Sequence, residues 1–391
     1  MFDLFATNPM WSVSELTLAL NRVPYVPQLI GRLGLFREER LSTTSTMVEV
    51  RGERLALVPE LPRGAPPTPN VVDRAIATSI AIPHFPIRDT LIADAVQNVR
   101  AFGTDSTLEG VQTVVNQRMA SMSLKLDVTL EYVRLGAVRG KVVTAVDRIT
   151  GAPLIERDLF RMFNFEPNPV LEWPIIGACE GGEQAVWCGQ LTALINQLGR
   201  AMSNQLPGGM FARIHCICGY EFFDAFMQHP ELRAAFIAID SAPFTRPQLG
   251  TSYTFRDLTI EEYRGRIGGV DFVAPDTAYF FPEGVPDLFI EAYAPADYME
   301  TVNTVALPRY ARSEMMDFNK GIMLEAQMNV MPFCSLPSCL FTAKATQWTA
   351  ATGGNGNGNG GGGSEGAHAP LAAAAQRNAG GAGAPSQARR A

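Results

Sequence analysis

Residues 106–142 read STLEGVQTVVNQRMASMSLKLDVTLEYVRLGAVRGKV, and this stretch decides the fold class. Its apolar side chains recur in steps of three and four residues, the spacing that keeps them on one face of a helix. The stretch opens with a capping box at Ser106 and Glu109 and holds no proline before Gly136 and Gly140, which we expect to end the helix. We predict a helix over 106–135, about 40–45 Å long at roughly 1.5 Å per residue. Its buried stripe consists of Leu108, Val111, Val115, Met119, Met122, Leu126, Leu130 and Val133.

Upstream of this helix, two segments are too short or too irregular to fold alone. Residues 1–38 are apolar but broken by prolines, so they form an arm that must lie against another surface. Residues 44–60 predict a β-hairpin in which TMVEV and RLALV flank Arg51-Gly52-Glu53. Five prolines follow within residues 59–69, which excludes a helix there. Because an isolated hairpin is marginal in water, we expect a partner surface to stabilise it.

The remaining chain mixes helices and strands. Strand-like pieces dominate residues 252–345. The order of hairpin, long helix, mixed segment and strands indicates an α+β protein rather than a repeated βαβ unit. Residues 352–391 contain glycine or alanine at 23 of 40 positions, so we predict a disordered tail. Further helices are predicted over 89–102, 189–206, 222–227 and 230–239.

Composition excludes several classes of protein. The chain has 391 residues, 47% of them hydrophobic, and a formal net charge of −7. It can bury a sizeable core, and its acidic balance argues against a dedicated DNA-binding protein. We find no secretion signal and no stretch of the roughly 18–20 apolar residues that a membrane helix needs. We therefore interpret the six cysteines as buried, reduced thiols.

Only one cluster suggests catalytic or metal chemistry, namely His215 with Cys216 and Cys218. It lacks the paired spacing of a zinc site, and neighbouring residues on a strand point to opposite faces, so His215 is poorly placed to activate Cys216. Residues 136–142 resemble a phosphate loop only superficially, because the spacing is one residue short and the magnesium-binding Ser/Thr is missing. We expect no catalytic, cofactor-binding or metal-binding residues. A Cys/His enzyme is the alternative of a different class.

Arginine usage points towards protein–protein contacts. Of the 32 basic residues only four are lysine, leaving 28 arginines. Arginine forms planar, bidentate pairs with carboxylates and keeps its charge when partly desolvated, which suits contacts between subunits. A bias in codon usage explains the same count equally well. The candidate contacts between subunits in and beside the hairpin are Arg40, Glu49, Arg51, Glu53, Arg54 and Arg63.

Long collinear segments of the chain resemble a known family. They include IPHFPIRDTLIADAVQNVRAFG at 82–103, the helix at 107–142, FFDAFMQHPELRAAF at 222–236, FPEGVPDLFIEAYAPADYMETVN at 281–303 and DFNKGIMLEAQMNVMPFCSLP at 317–337. These segments are similar to the major capsid proteins of tailed bacteriophages, in the lambda-like capsid protein E family. The resemblance spans about residues 1–345 and excludes the Gly/Ala-rich tail.

The resemblance implies an α+β tailed-phage capsid fold of the Hong Kong 97 type. Carried onto this chain, it divides the sequence into an N-terminal arm, an extended hairpin loop, a peripheral domain with the spine helix at 106–135, an axial domain, strands that return to the peripheral domain, and the tail. The corresponding ranges are 1–38, 39–80, 81–174, 175–300, 301–351 and 352–391.

The resemblance also implies a function, a location and partners. Copies would form hexamers and pentamers of an icosahedral head that encloses double-stranded DNA without reading its sequence. The head would be assembled in the bacterial cytoplasm with a portal and no membrane. Because the hairpin starts near residue 44, we expect a separate scaffolding protein; a decoration protein is left open. The loop at 39–80 holds no lysine, so we predict a non-covalent shell. An encapsulin-like compartment and a gene-transfer-agent shell are the alternatives within the same fold.

Overall fold

A computed structural model describes most of the chain between residues 29 and 347, together with Thr17. The predicted arm and hairpin are therefore described only in part, since residues 1–28 except Thr17 and residues 51–75 lie outside the described residues, as does the whole predicted tail at 352–391. No helix in the described part of the chain is long and apolar enough to cross a bilayer. The described ranges are 29–50, 76–97, 110–146, 153–176, 190–232, 251–267 and 270–347.

The α-helices are one long helix and several shorter ones. They are α1 (Leu29–Leu33), α2 (Ala93–Val96), α3 (Val111–Arg139), α4 (Leu159–Met162), α5 (Gln190–Gln205) and α6 (Tyr220–Gln228).

Within the described ranges, the strands form two large sheets and three two-stranded ladders. In chain order they are β1 (Phe36–Arg40), β2 (Ser45–Val50), β3 (Ile76–Ala81), β4 (His84–Ile92), β5 (Lys141–Val146), β6 (Pro153–Asp158), β7 (Leu171–Ile176), β8 (Arg213–Cys218), β9 (Ser252–Phe255), β10 (Leu258–Glu262), β11 (Arg266–Ile267), β12 (Val270–Asp271), β13 (Thr277–Glu283), β14 (Phe289–Tyr293), β15 (Tyr310–Met315), β16 (Gly321–Cys334) and β17 (Phe341–Gln347).

The peripheral sheet has the order β1-β14-β16-β15, with β4 also paired to β16. The axial sheet has the order β7-β17-β13-β8-β10-β9. The ladders are β2-β3, β5-β6 and β11-β12. Sheet membership crosses the borders of the predicted domains, since β14 pairs in the peripheral sheet, β17 pairs in the axial sheet and β7 spans the border at 174. The six-part division itself stays a prediction.

Helix α3 is the predicted spine helix, and its stripe from Val115 to Leu130 packs on the peripheral sheet. The prediction is wrong for Val111, which is 44% exposed in the first turn, and Leu108 lies outside the described residues. Met122, Leu126 and Leu130 share one core with Leu324 and Met328 of β16. The predicted bounds of 106–135 are wrong at the C-terminal end, because the helix continues to Arg139 and ends at Gly140, whose φ is +76°. At the other end Gly110 is the N-cap, and residues 106–109 are outside the described residues.

Gly136 lies inside the helix rather than ending it. A Cβ built on this residue would lie 2.9 Å from the Cα of Val142 and 3.0 Å from the carbonyl oxygen of Lys141. Glycine is needed at position 136 because strand β5 returns closely against the last turns of α3 and leaves no room for a side chain. From sequence alone, such a glycine looks the same as one that ends a helix.

The predicted helix at 89–102 is wrong at its start. Asp89 lies in strand β4, which pairs antiparallel with β16 over nine residues. The period-two alternation of Phe85, Ile87 and Leu91 predicts this strand, and the long ladder with β16 outweighs local helix propensity. Helix α2 begins only at Ala93.

The first strand of the predicted hairpin pairs with a different strand from the one predicted. Strand β2 contains the predicted TMVEV segment, but it pairs antiparallel with β3, from Ser45 opposite Ala81 to Val50 opposite Ile76. The predicted second strand, at 54–58, lies outside the described residues. Pairing with β3 leaves residues 51–75, rather than the predicted three-residue turn, as the connection between the two strands.

The described end of the arm packs on its own chain. Ile30 of α1 is fully buried, and β1 pairs in parallel with β14. This part of the arm therefore belongs to the body of the subunit, and β1 continues past the predicted border at residue 38.

Aromatic residues fill the core between the axial sheet and helices α5 and α6. Trp173 stacks at 5.0 Å from Phe280 and 5.8 Å from Phe222, measured between ring centroids. The opposite face of the axial sheet contributes Ile217 and Phe281 to a separate core, which also holds Phe289 and Phe333 of the peripheral sheet. This shared core joins the two sheets into one body.

Candidate assembly surfaces

The extended hairpin leaves the body at a well-anchored base. The backbone N–H of Leu41 donates to the carbonyl of Tyr293, and the carbonyl of Leu41 accepts from the N–H of Ala306, at 3.0 and 2.9 Å. The N–H of Ile82 donates to the carbonyl of Thr44 at 3.0 Å. From there β2 and β3 pair over six residues, and Ile80 of β3 is fully buried in the core that also holds Val133 of α3. The base of the hairpin is therefore packed on the body of the subunit.

The predicted contact residues are only partly placed. Arg40 ends β1 and pairs with Glu38 at 3.1 Å, with both side chains about half exposed. Glu49 lies in β2 opposite Ala77. The other four, Arg51, Glu53, Arg54 and Arg63, lie outside the described residues. An exposed pair such as Arg40–Glu38 contributes about 0–1 kcal/mol, so Arg40 is available for exchange with a partner. The set of six contacts stays a prediction.

Three ionisable side chains on α3 hold other parts of the chain against the helix. Arg309 donates to Ser123 and Asp127, and all three are buried. Arg134 forms a bidentate pair with Glu291 of β14, with nitrogen–oxygen distances of 3.0 and 2.8 Å. Sequence reasoning missed these contacts. The available signal was Asp127, Glu131 and Arg134 spaced four and three residues apart beside the apolar stripe.

Glu131 anchors the arm to the spine helix. Its carboxylate accepts from the backbone N–H groups of Ile30 at 2.8 Å and Gly31 at 3.1 Å. The hydroxyl of Tyr263 also donates to it at 3.4 Å. Burial raises the pKa of Glu131 above its usual range, although the backbone donors oppose that rise. The side chain of Glu131, on α3, thus caps the N-terminus of α1.

His215 lies on the opposite face of β8 from Cys216 and Cys218. Cys216 and Cys218 face the core that contains Trp173, as the strand alternation predicts. His215 instead stacks on Phe281, with its Nδ1 atom 3.1 Å from Oε1 of Glu283. Burial raises the pKa of Cys216 well above its ordinary value, which disfavours the reactive thiolate. Within the described ranges, no group of three or more His, Cys, Asp or Glu side chains is arranged to hold a metal ion.

This chain is similar to known proteins over most of its length. The model of the family "Phage major capsid protein E" matches residues 12–345. The major capsid protein of Salmonella phage Felix O1 is 22% identical over 372 residues, covering 85% of this chain and 96% of the relative. The major capsid protein of Pseudomonas phage KPP10 is 26% identical over 353 residues, with the same coverage of both chains.

A solved structure shares the fold. It is a prophage protein of E.coli CFT073 assigned as a capsid protein, and it is 14% identical with a TM-score of 0.53. The alignment covers 85% of this chain and 99% of that chain. The α+β architecture is accordingly the tailed-phage capsid fold of the Hong Kong 97 type. The chain belongs to the phage major capsid protein E family, the proteins that form the icosahedral shell of the phage head.

Proposed function

We propose that copies of this chain assemble as hexamers and pentamers that close into an icosahedral head around double-stranded DNA. The family match over residues 12–345 is the observation that carries this proposal. The net charge of −7 supports contact with packaged DNA that neither reads its sequence nor holds it tightly. We place assembly in the cytoplasm of the host bacterium, with a separate scaffolding protein and a portal.

Two features of the subunit support assembly by projection. The shared core and the buried contacts of α3 hold the subunit together. The ladder of β2 and β3 packs Ile80 into that core, and residues 51–75 connect the two strands. A neighbouring subunit then supplies the surface that the hairpin needs. Apolar burial, at about 25 cal/mol per Å², should dominate that contact. The arginines and carboxylates in and beside the hairpin, Arg40, Glu49, Arg51, Glu53, Arg54 and Arg63, would add complementarity.

We infer that the role is structural rather than enzymatic. His215 and Cys216 belong to different cores and share no exposed reacting position, which supports this inference. If the inference is right, replacing His215, Cys216 and Cys218 reduces particle yield only as far as lost packing destabilises the subunit.

Cryo-electron microscopy of particles from cells that produce this chain with its scaffolding protein tests the proposal. We expect shells with six-fold and five-fold capsomers, and nuclease-protected double-stranded DNA in particles that also received the portal. Shells that enclose protein cargo instead would favour an encapsulin-like compartment. Small particles carrying random host DNA would favour a gene-transfer agent.

A further inference from the structure

A histidine and an aspartate face each other on the side of the peripheral sheet opposite α3. His84 begins β4 and lies opposite Asn329 of β16 in the ladder. Because Met328 packs in the core that holds α3, its neighbour Asn329 points to the other face of the sheet. Asp297 lies in the segment that follows β14. The side chains of His84 and Asp297 are 41% and 64% exposed, so solvent reaches both of them.

The hydrogen bonds of Asn329 fix the imidazole of His84. Asn329 is buried, and its Nδ2 atom donates to the carbonyl of Pro295 at 2.8 Å. Its Oδ1 atom is therefore the acceptor for the Nδ1–H group of His84, at 2.7 Å. A proton on Nδ1 leaves the lone pair of the neutral ring on Nε2, the atom that faces Asp297. Histidines that bind metal ions commonly donate their other ring N–H to an oxygen in this way.

The carboxylate of Asp297 is held by a second buried amide. Gln327 is fully buried, and its Nε2 atom donates to Oδ1 of Asp297 at 2.7 Å. The remaining oxygen, Oδ2, faces the ring of His84. Gln327 and Asn329 lie two residues apart on one face of β16, so a single strand orients both exposed side chains. Groups that are oriented in advance lose less entropy when they bind a ligand.

The gap between the two side chains suits a bridging ion. Nε2 of His84 lies 3.7 Å from Oδ2 of Asp297, which is too long for a direct hydrogen bond. A zinc ion lies about 2.0–2.2 Å from nitrogen and oxygen ligands, so it can join atoms up to roughly 4 Å apart. Imidazole nitrogen suits zinc and related transition metals, whereas magnesium and calcium prefer sites made of oxygen atoms alone.

We propose that His84 and Asp297 form a binding site for Zn²⁺ or a related divalent transition-metal ion, with Nε2 and Oδ2 as its ligands. In the described part of the chain no group of three His, Cys, Asp or Glu side chains could hold a metal, so water completes the coordination. The ion ties β4 to the segment after β14. Sequence spacing gives no signal for this site, because its two ligands lie far apart in the chain.

Isothermal titration of Zn²⁺ into the purified full chain, produced without a polyhistidine tag, tests the inference. We expect one ion per subunit and a loss of at least tenfold in affinity in both Asp297→Asn and His84→Gln. Asp297→Asn keeps the acceptor oxygen for Gln327, so this variant should fold. Asp287→Asn is the matched control, because Asp287 is also 64% exposed but pairs with Arg37, and it should leave the affinity unchanged. Absence of binding to the wild type, or equal binding to all variants, would overturn the inference.

Cobalt gives an independent measurement of the ligands. Co²⁺ should give the wild type a visible absorption band that His84→Gln loses and that Zn²⁺ abolishes by displacement. Excess Mg²⁺ should not displace the cobalt, because it prefers oxygen ligands. Zn²⁺ should also raise the melting temperature of the wild type but not that of Asp297→Asn. A cobalt band that persists in His84→Gln would show an adventitious ion only and contradict the site. Because both measurements use the unassembled chain, their outcome is independent of the proposed shell function.

Discussion

Buried ionic contacts at single residues fix how the spine helix meets the rest of the subunit. Glu291 is 1% exposed and its partner Arg134 is 12% exposed, so both charges are largely removed from water. Such a pair adds little stability compared with apolar residues of the same size, but it is costly to break. These contacts therefore specify one arrangement of helix, arm and sheet.

Arg134→Leu should be strongly destabilising, because it leaves the carboxylate of Glu291 buried and uncompensated. We expect a loss of about 3–5 kcal/mol in the free energy of unfolding, measured with denaturant on the purified subunit. Arg88→Leu is the matched control. It removes an arginine from a carboxylate on the same sheet, Glu325 at 2.7 Å, but at an exposed position, and should change stability little. Similar losses for the two variants would contradict this account.

Glu131 should give the subunit a measurable dependence on pH. Its pKa is raised in the folded state, so its contribution to stability is fully present below its unfolded pKa of about 4.5 and is lost as the pH rises through the folded value. Glu131→Gln cannot titrate. The stability of the wild type minus that of Glu131→Gln should therefore fall with increasing pH, as measured by thermal unfolding in a series of buffers. A difference that is constant, or that grows with pH, would show that the carboxylate is not destabilised by burial.

Among the elements, those with long periodic patterns are the ones that the sequence predicts. Steps of three and four residues identify α3, and alternation identifies the buried faces of β8. Two errors arise where a distant strand decides the outcome: β16 makes β4 a strand, and β3 replaces the predicted partner of β2. Neither partner lies within the local window from which propensity is read.

Two glycines inside helices should respond to alanine with opposite signs. Alanine favours a helix over glycine by about 1 kcal/mol, so Gly199→Ala in α5 should be neutral or stabilising. Its Cβ would have only ordinary contacts, the nearest with Cδ1 of Ile214 at 3.6 Å. Gly136→Ala in α3 should instead cost about 1–3 kcal/mol, because its Cβ meets backbone that cannot move aside. Calorimetric melting of both variants measures the signs. A stabilising Gly136→Ala would refute the close packing of β5 on α3.

For the whole molecule, the sequence predicts the α+β class, the spine helix and the burial of Cys216 and Cys218 on one face of β8. It does not predict that β14, which lies in the predicted axial range, pairs in the peripheral sheet, or that β17, which lies in the range of returning strands, pairs in the axial sheet. Which strands pair depends on long-range contacts. The buried charges of α3 were missed for a related reason. A charge or an apolar side chain is recognised as unusual only when its burial is known, and burial is a property of the folded subunit.

The assembled shell should be non-covalent. Residues 39–80 contain no lysine, so this loop cannot supply an amine for an isopeptide bond to a neighbour. Boiled, reduced particles should therefore run on a denaturing gel as a single band near 42.5 kDa. A ladder of multimers that survives boiling and reduction would contradict the prediction.

The central claim is that this subunit is completed by copies of itself. Negative-stain electron microscopy of the purified full chain, at increasing concentration and with or without its scaffolding protein, tests that claim most directly. The account predicts closed, regular shells whose yield rises steeply with concentration. A well-folded chain that stays monomeric under all of these conditions would contradict it.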